Sequence, residues 1–234
     1  MAIVYDAEAK TITLHTRNTT YQMQMGTVGH LLHLYYGKKI EGDCLDYHFV
    51  LTDCGFSPNS YEARYRRDIS MDILPQEYPG SNSGDFRVPA LDCVSADGRW
   101  GADLRYVTHR ILPGKYALEG LPASFGTDEE AQTLSITLRD AATQLEVELL
   151  YGVFEDADMI TRAAVIKNVG RESVRLEKAA SLALSIPYGR WELLHFHGRH
   201  CMERASERTP LLHGLQAVES RRGASSHHHN PFVI

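Results

Sequence analysis

The 234-residue chain lacks the features that would place it in a membrane, in an oxidising compartment or on nucleic acid. No apolar run approaches the roughly 18 residues of a membrane-spanning helix. The start, Met1-Ala-Ile-Val-Tyr, has neither the basic opening nor the apolar stretch of a secretory leader, so a cytoplasmic location is expected. Four cysteines, Cys44, Cys54, Cys93 and Cys201, stand 10, 39 and 108 positions apart with no CxxC pair. That spacing does not indicate a closed zinc site; free thiols in a reducing compartment are the simpler reading. Lys+Arg 24 against Asp+Glu 30 gives a formal charge of -6 without a basic patch, which argues against nucleic-acid and anionic-membrane partners. A GxSxG nucleophile motif, a Walker loop and a GxGxxG turn are missing, and no cofactor is expected.

What the chain does contain is an ordinary globular composition, with 43% hydrophobic and 23% charged residues. A chain of this length can bury about 70% of its unfolded surface without disulfides or metal. The periodicity is two over most of the sequence. Thr11-Ile-Thr-Leu-His alternates, as does Tyr21-Gln-Met-Gln-Met, and further strands are predicted over 31–36, 91–95, 104–111, 134–138, 145–154, 159–168 and 174–186. Turn signals fall between them at Arg17-Asn-Thr19, Ala96-Asp-Gly98, Pro113-Gly114, Asn168-Val-Gly170 and Pro187-Tyr-Gly189. Many strands, short turns and almost no amphipathic helix predict an all-β, antiparallel fold of two stacked sheets. Residues 41–90 break the pattern and read as a long excursion, of the kind that carries function or covers another surface.

Thirty acidic residues include no pair whose context announces an acid and a base for glycoside chemistry. Asp85, in Gly84-Asp-Phe-Arg87, is either a substrate contact or half of an ion pair that pins its loop. Asp53 follows Phe49-Val-Leu-Thr, where a carboxylate can accept two sugar hydroxyls or close an Asx-turn. His195, His197 and His200 form HxHxxH; on a strand the first two share a face, yet no carboxylate lies close in sequence, and no metal is assigned. Glu219-Ser-Arg-Arg-Gly223 reads as an anion contact or, more plainly, an internal ion-pair cluster. The 12 tyrosines suit sugar faces and β cores equally.

Several segments together resemble the N-terminal domain of bacterial α-galactosidases of glycoside hydrolase family 36. They are His33-Leu-Tyr-Tyr-Gly-Lys38, Phe56-Ser-Pro-Asn59, Gln76-Glu-Tyr-Pro79, Gly84-Asp-Phe-Arg-Val-Pro-Ala90 and Asp103-Leu-Arg-Tyr. Gly120-Leu-Pro, Glu203-Arg204 and Glu219-Ser-Arg-Arg-Gly-Ala-Ser-Ser-His227, closing on Asn230-Pro-Phe, complete the series. The resemblance covers positions 3 to 232 and implies one N-terminal β-supersandwich, galactose-mutarotase-like, over residues 1–234, cut before a (β/α)8 catalytic barrel.

Both catalytic aspartates of similar enzymes belong to that barrel. The resemblance therefore implies a chain that is inactive alone and serves a retaining enzyme acting on terminal α-galactosyl residues of melibiose and raffinose-type sugars. It implies a homotetramer in which loops of this domain reach a neighbouring subunit's active-site mouth, and an exposed apolar patch where the barrel packs. Asp53, three residues before Phe56, matches an acidic residue that contacts galactose in the family. His200, three residues before Glu203, stands where many members carry a Trp that contacts substrate. Two other classes compete: a free-standing carbohydrate-binding module, and a mutarotase-like epimerase using His195 or His197 with Glu192 or Glu203.

Overall fold

Extended segments rich in apolar and β-branched residues, joined by turns, make up nearly all the regular structure of this protein. The computed structural model describes residues 2–42, 44–49, 51–55, 59–121, 123–223 and 226–230. The strands are β1 (Ile3–Asp6), β2 (Thr11–His15), β3 (Thr19–Met25), β4 (Leu31–Lys38), β5 (Leu91–Ser95), β6 (Leu104–Pro113) and β7 (Gln132–Asp140). They continue as β8 (Leu145–Phe154), β9 (Met159–Asn168), β10 (Val174–Ala179), β11 (Glu192–Arg199), β12 (Met202–Pro210) and β13 (His229–Asn230). All pairings among these strands are antiparallel, and the only helical turns among the described residues are two short 3-10 turns, as the sequence predicts. The chain divides into two compact units, Met1–Ser185 and Ile186–Ile234.

The first unit holds a sheet in the order β1-β2-β3-β4, a second in the order β6-β7-β8-β9, and the pair β10-β5. One apolar cluster joins them. Ile12, Leu14 and Met23 come from the first sheet, Leu134, Ile136, Leu138, Val147 and Leu149 from the second, and Leu91 and Cys93 from β5. Burying side chains of this size contributes about 1.5–3 kcal/mol each, so this cluster dominates the stability of the unit. A buried ion pair is set within it. The carboxylate of Glu77 is fully buried, accepts hydrogen bonds from the Tyr21 hydroxyl at 2.6 and 2.8 Å and from the Tyr151 hydroxyl at 2.6 Å, and pairs with Arg162 at 2.9 Å. His33 Nδ1 lies 3.2 Å from its other oxygen. Burial pushes the Glu77 carboxyl up, but Arg162, His33 and Tyr151 together hold it below the ordinary glutamate value. The same burial, with the Glu77 charge beside it, drives the Tyr21 phenol well above 10.

Part of the excursion over 41–90 packs on the Leu32 side of the first sheet, while Glu77 and Tyr78 from its later part enter the core. On that side Leu32 packs with Ala63, Ile69, Met71 and Leu74, while Val28 and Phe49 flank them. Its end is fixed by ion pairs. Arg87 grips the buried Asp85 through Nε and Nη2, each at 2.7 Å, and reaches the Leu74 carbonyl at 2.6 Å. The loop-pinning reading of Asp85 is therefore the one the structure shows. At the other edge Asp103 bonds His30 at 2.8 Å and Arg105 at 2.6 and 2.9 Å; burial works against its charge, but these two partners lower its carboxyl to about 2.

The predicted strand over 174–186 is shorter in the structure, where β10 ends at Ala179. Beyond it the Ala180 carbonyl accepts the Tyr78 hydroxyl at 2.6 Å and the Ala183 carbonyl accepts Arg162 at 3.1 Å, so side chains take acceptors that a ladder would use. In contrast, β1, β11, β12 and β13 fall outside the predicted strands. The reason is visible in β12, Met-Glu-Arg-Ala-Ser-Glu-Arg-Thr-Pro, which is polar on both faces and almost wholly exposed, leaving no hydrophobic alternation to read. In the second unit β11 pairs with β12 on one side and β13 on the other. The fully buried apolar residues of the described structure all lie at or before Ala163, while in the second unit β11 carries the half-buried Leu193, Leu194 and Phe196.

Glu77→Gln keeps the shape of the side chain but leaves the Arg162 charge buried and unmatched; it is expected to lower unfolding free energy by about 3–5 kcal/mol in urea titrations at neutral pH. Because the folded carboxyl lies below its unfolded value, the contribution of Glu77 is complete above about pH 4.3 and is lost as the pH falls through the folded value. The Glu77→Gln difference should therefore shrink on acidification.

Candidate functional site

Asp53 sits in the excursion of the first unit, on an irregular exposed segment. Arg67 Nε donates to its Oδ1 at 2.7 Å, and the Cys54 amide bonds the Arg67 carbonyl at 2.8 Å, so a two-rung tie holds the carboxylate's loop to the 65–68 segment. The guanidinium lies across Gly55, where a Cβ would come within 1.7 Å of Nη2; glycine is what lets it reach Asp53. Oδ2 of Asp53 is not engaged by any described residue. The pair is two-thirds exposed and open to solvent, with Arg66 and Asp68 in a second pair at 2.6 Å beside it. Such a carboxylate is oriented and accessible, which suits it to accept hydroxyl hydrogen bonds. Large apolar side chains stand exposed on the same excursion, Tyr47, Tyr61, Tyr65, Phe86 and Val88 among them. Of the segment Phe56-Ser-Pro-Asn59, residues 56–58 lie outside the described residues, and Asn59 donates to the Arg66 carbonyl at 3.2 Å.

His200 belongs to the second unit, exposed in the turn between β11 and β12. The turn needs two special backbone positions: Cys201 adopts φ 64, and a Cβ on Gly198 would meet the Met202 carbonyl at 2.3 Å. The turn separates the three histidines of HxHxxH. His195 and His197 face Glu207 across the hairpin, whereas His200 gathers with Glu203 and His228. The Cys201 amide donates to Glu203 at 2.9 Å; that bond first, with His227 and His228 adding to it, lowers the Glu203 carboxyl. Glu192 instead pairs with Arg208 at 2.7 Å. The epimerase pairing of His195 or His197 with Glu192 or Glu203 is thus corrected: antiparallel register sets Glu207 opposite His195.

Glu219, Arg221 and Arg222 line a cleft of about 400 Å³ in this unit together with His197, Met202 and His228. Neither arginine makes an ion pair among the described residues. Residues 122, 224–225 and 231–234, which include parts of the Gly120-Leu-Pro, Glu219-Ser-Arg-Arg and Asn230-Pro-Phe segments, lie outside the described residues. Sequence reasoning missed Arg67 and Glu207. The charge-dense Arg66-Arg67-Asp68 run was the available signal for the first; for the second only the hairpin register supplies one.

Comparison with known proteins gives a consistent set of relatives. A profile described as the glycosyl hydrolase family 36 N-terminal domain matches residues 29–234. The bifunctional α-galactosidase/sucrose kinase AgaSK of Mediterraneibacter gnavus is 50% identical over 234 residues, all of this chain and 25% of that protein. The α-galactosidase AgaA of Geobacillus stearothermophilus is 42% identical over 100% of this chain and 32% of its own length. The solved galactosidase domain of AgaSK superposes with a TM-score of 0.93, covering 99% of this chain and 32% of that one. A variant of Geobacillus stearothermophilus AgaA solved in complex with raffinose superposes at 0.88 with 42% identity, covering 96% of this chain and 31% of that structure. The chain thus spans between a quarter and a third of the length of the curated relatives it matches.

An exposed, solvent-screened ion pair contributes little to folding. Asp53→Ala and Arg67→Ala are each expected to change unfolding free energy by less than about 1 kcal/mol, and a double-mutant cycle in urea should give a coupling of the same small size. A coupling of several kcal/mol would mark the pair as structural.

Proposed function

The chain belongs to the glycosyl hydrolase family 36 N-terminal domain, and from that premise we propose that it forms the N-terminal β-supersandwich of a longer α-galactosidase. That enzyme removes terminal, non-reducing α-galactosyl residues from galactosides such as melibiose and raffinose-type oligosaccharides. The observation that carries this reading is 50% identity along the whole chain to the α-galactosidase/sucrose kinase AgaSK; the raffinose complex of an AgaA variant, aligned over 96% of this chain, agrees with it.

Retaining hydrolysis needs two carboxyl groups about 5–5.5 Å apart, one as nucleophile and one as acid/base. We assign neither to these 234 residues; both come from a downstream (β/α)8 barrel, and the chain alone is inactive. Its own contribution is binding. Asp53, turned by Arg67 and with Oδ2 free of described partners, accepts hydroxyl hydrogen bonds at the mouth of the pocket. His200, exposed on the β11–β12 turn, offers a ring face and a donor at an outer position where an indole would offer a larger face. The exposed aromatic and aliphatic side chains of the excursion pack against the barrel or a neighbouring subunit of a cytoplasmic homotetramer, since aromatic residues are enriched at such interfaces.

Turnover of a chromogenic α-galactoside is expected from a protein that continues through the barrel and not from residues 1–234 alone. In the longer protein Asp53→Ala should lower kcat/KM about 10- to 100-fold, the range of a lost charged hydrogen bond, with the unfolding midpoint unchanged. Turnover by the 234-residue chain, or unaltered kinetics in Asp53→Ala, would remove the corresponding part of the proposal.

A further inference from the structure

We propose that His195, His197 and Glu207 form a binding site for a divalent transition-metal ion of the zinc class, clamping β11 to β12. The proposal is independent of the α-galactosidase reading and rests on side chains of the second unit alone.

The strand period of two sets His195 and His197 on one face of β11, and the register places Glu207 directly opposite His195. The hairpin thereby supplies the carboxylate that is absent near HxHxxH in the sequence. Glu207 Oε2 lies 3.7 Å from His195 Nε2 and 3.8 Å from His197 Nδ1, and the three donor atoms all fall within 4.8 Å of one another. Both separations are too long for hydrogen bonds. They are close to the spacing of about 3.3 Å between ligand atoms around a tetrahedral zinc ion with bonds of about 2.0–2.1 Å, while the separation between the two imidazole donors, within 4.8 Å, shortens by up to about 1.5 Å on closure.

No stronger cation competes among the described residues. Arg208, the next residue on β12, points to the other face and pairs with Glu192 at 2.7 Å, which leaves the two imidazoles as the nearest side-chain partners of Glu207 among the described residues. The His195 ring is largely buried, and its Nδ1 has no hydrogen-bond partner, so no other contact turns Nε2 away from the site. Two imidazoles and one carboxylate suit zinc and, by the order of affinities, also copper and nickel, while disfavouring calcium and magnesium. Three protein ligands leave a position for water. The site also sits where a clamp has most effect, since the second unit carries none of the buried apolar residues of the described structure. Small units without a core commonly rely on a metal or a disulfide.

The test is a titration of the intact protein with Co2+, a spectroscopic stand-in for Zn2+, followed by displacement with Zn2+. The expected result is saturation at one equivalent, with the strong visible absorption of a four- or five-coordinate cobalt site that Zn2+ abolishes. His197→Ala and Glu207→Gln, both at exposed positions, should weaken binding by at least about tenfold while preserving the far-ultraviolet β spectrum. His213→Ala, at an exposed histidine elsewhere in the unit, and His228→Ala, which dismantles the neighbouring His200–Glu203–His228 group, should leave the affinity unchanged. Absence of saturable binding, survival of binding in both His197→Ala and Glu207→Gln, or its loss in His228→Ala would overturn the proposal.

Discussion

The first unit is organised around one buried carboxylate. Glu77 receives Tyr21 and His33 from the sheet β1-β2-β3-β4 and Tyr151 and Arg162 from the sheet β6-β7-β8-β9. Hydrophobic burial brings the two sheets together without fixing their relative position, because apolar contact has no direction. A charged group with donors on both sides does have direction. It permits only those offsets of the two sheets in which all its partners are satisfied, since an unpaired charge in that core would cost several kcal/mol. The second sheet also sends Arg162 past Glu77 to the Ala183 carbonyl, which ties the segment after β10 into the same arrangement.

This fixed frame is what allows a surface loop to hold a position. The excursion leaves β4, packs on the Leu32 side of the first sheet, and is locked at its far end by Asp85 and Arg87. Asp53 lies partway along, braced locally by Arg67. Rigid strands thus support an accessible carboxylate through a chain of contacts that ends at the core. The second unit positions its polar groups differently. There the hairpin register alone sets histidines and glutamates opposite one another, with little apolar packing behind them.

These two ways of positioning residues explain what could be read from the sequence. Leu134, Ile136 and Leu138 alternate with polar neighbours and are buried at 1% exposure or less, so the strand and its inner face were both legible. The role of Glu77 was not, because a buried glutamate in Gln-Glu-Tyr-Pro looks like any surface glutamate until Tyr151 and Arg162 arrive from far along the chain. Asp85 and Arg87 are two positions apart, and their pairing was visible in advance. Glu207 is twelve positions from His195, in a strand that carries no hydrophobic signal, and only pairing brings them together. Local contacts and periodic burial were readable, whereas polar groups joined through register were not.

The sequence separations around Glu77 also bear on how the chain folds as it is made. During synthesis from the N-terminus, Tyr21, His33 and Glu77 emerge well before Tyr151 and Arg162, which lie 74 and 85 positions after the glutamate. Until those residues arrive, shutting the inner face of the first sheet would bury the Glu77 carboxyl without its Arg162 partner, which costs free energy whether the group stays charged or takes up a proton. Closure of the sandwich therefore waits for β9, and non-local contacts of this kind make folding slow. The acid that locks the finished core thereby also acts as a brake on premature collapse of its first half.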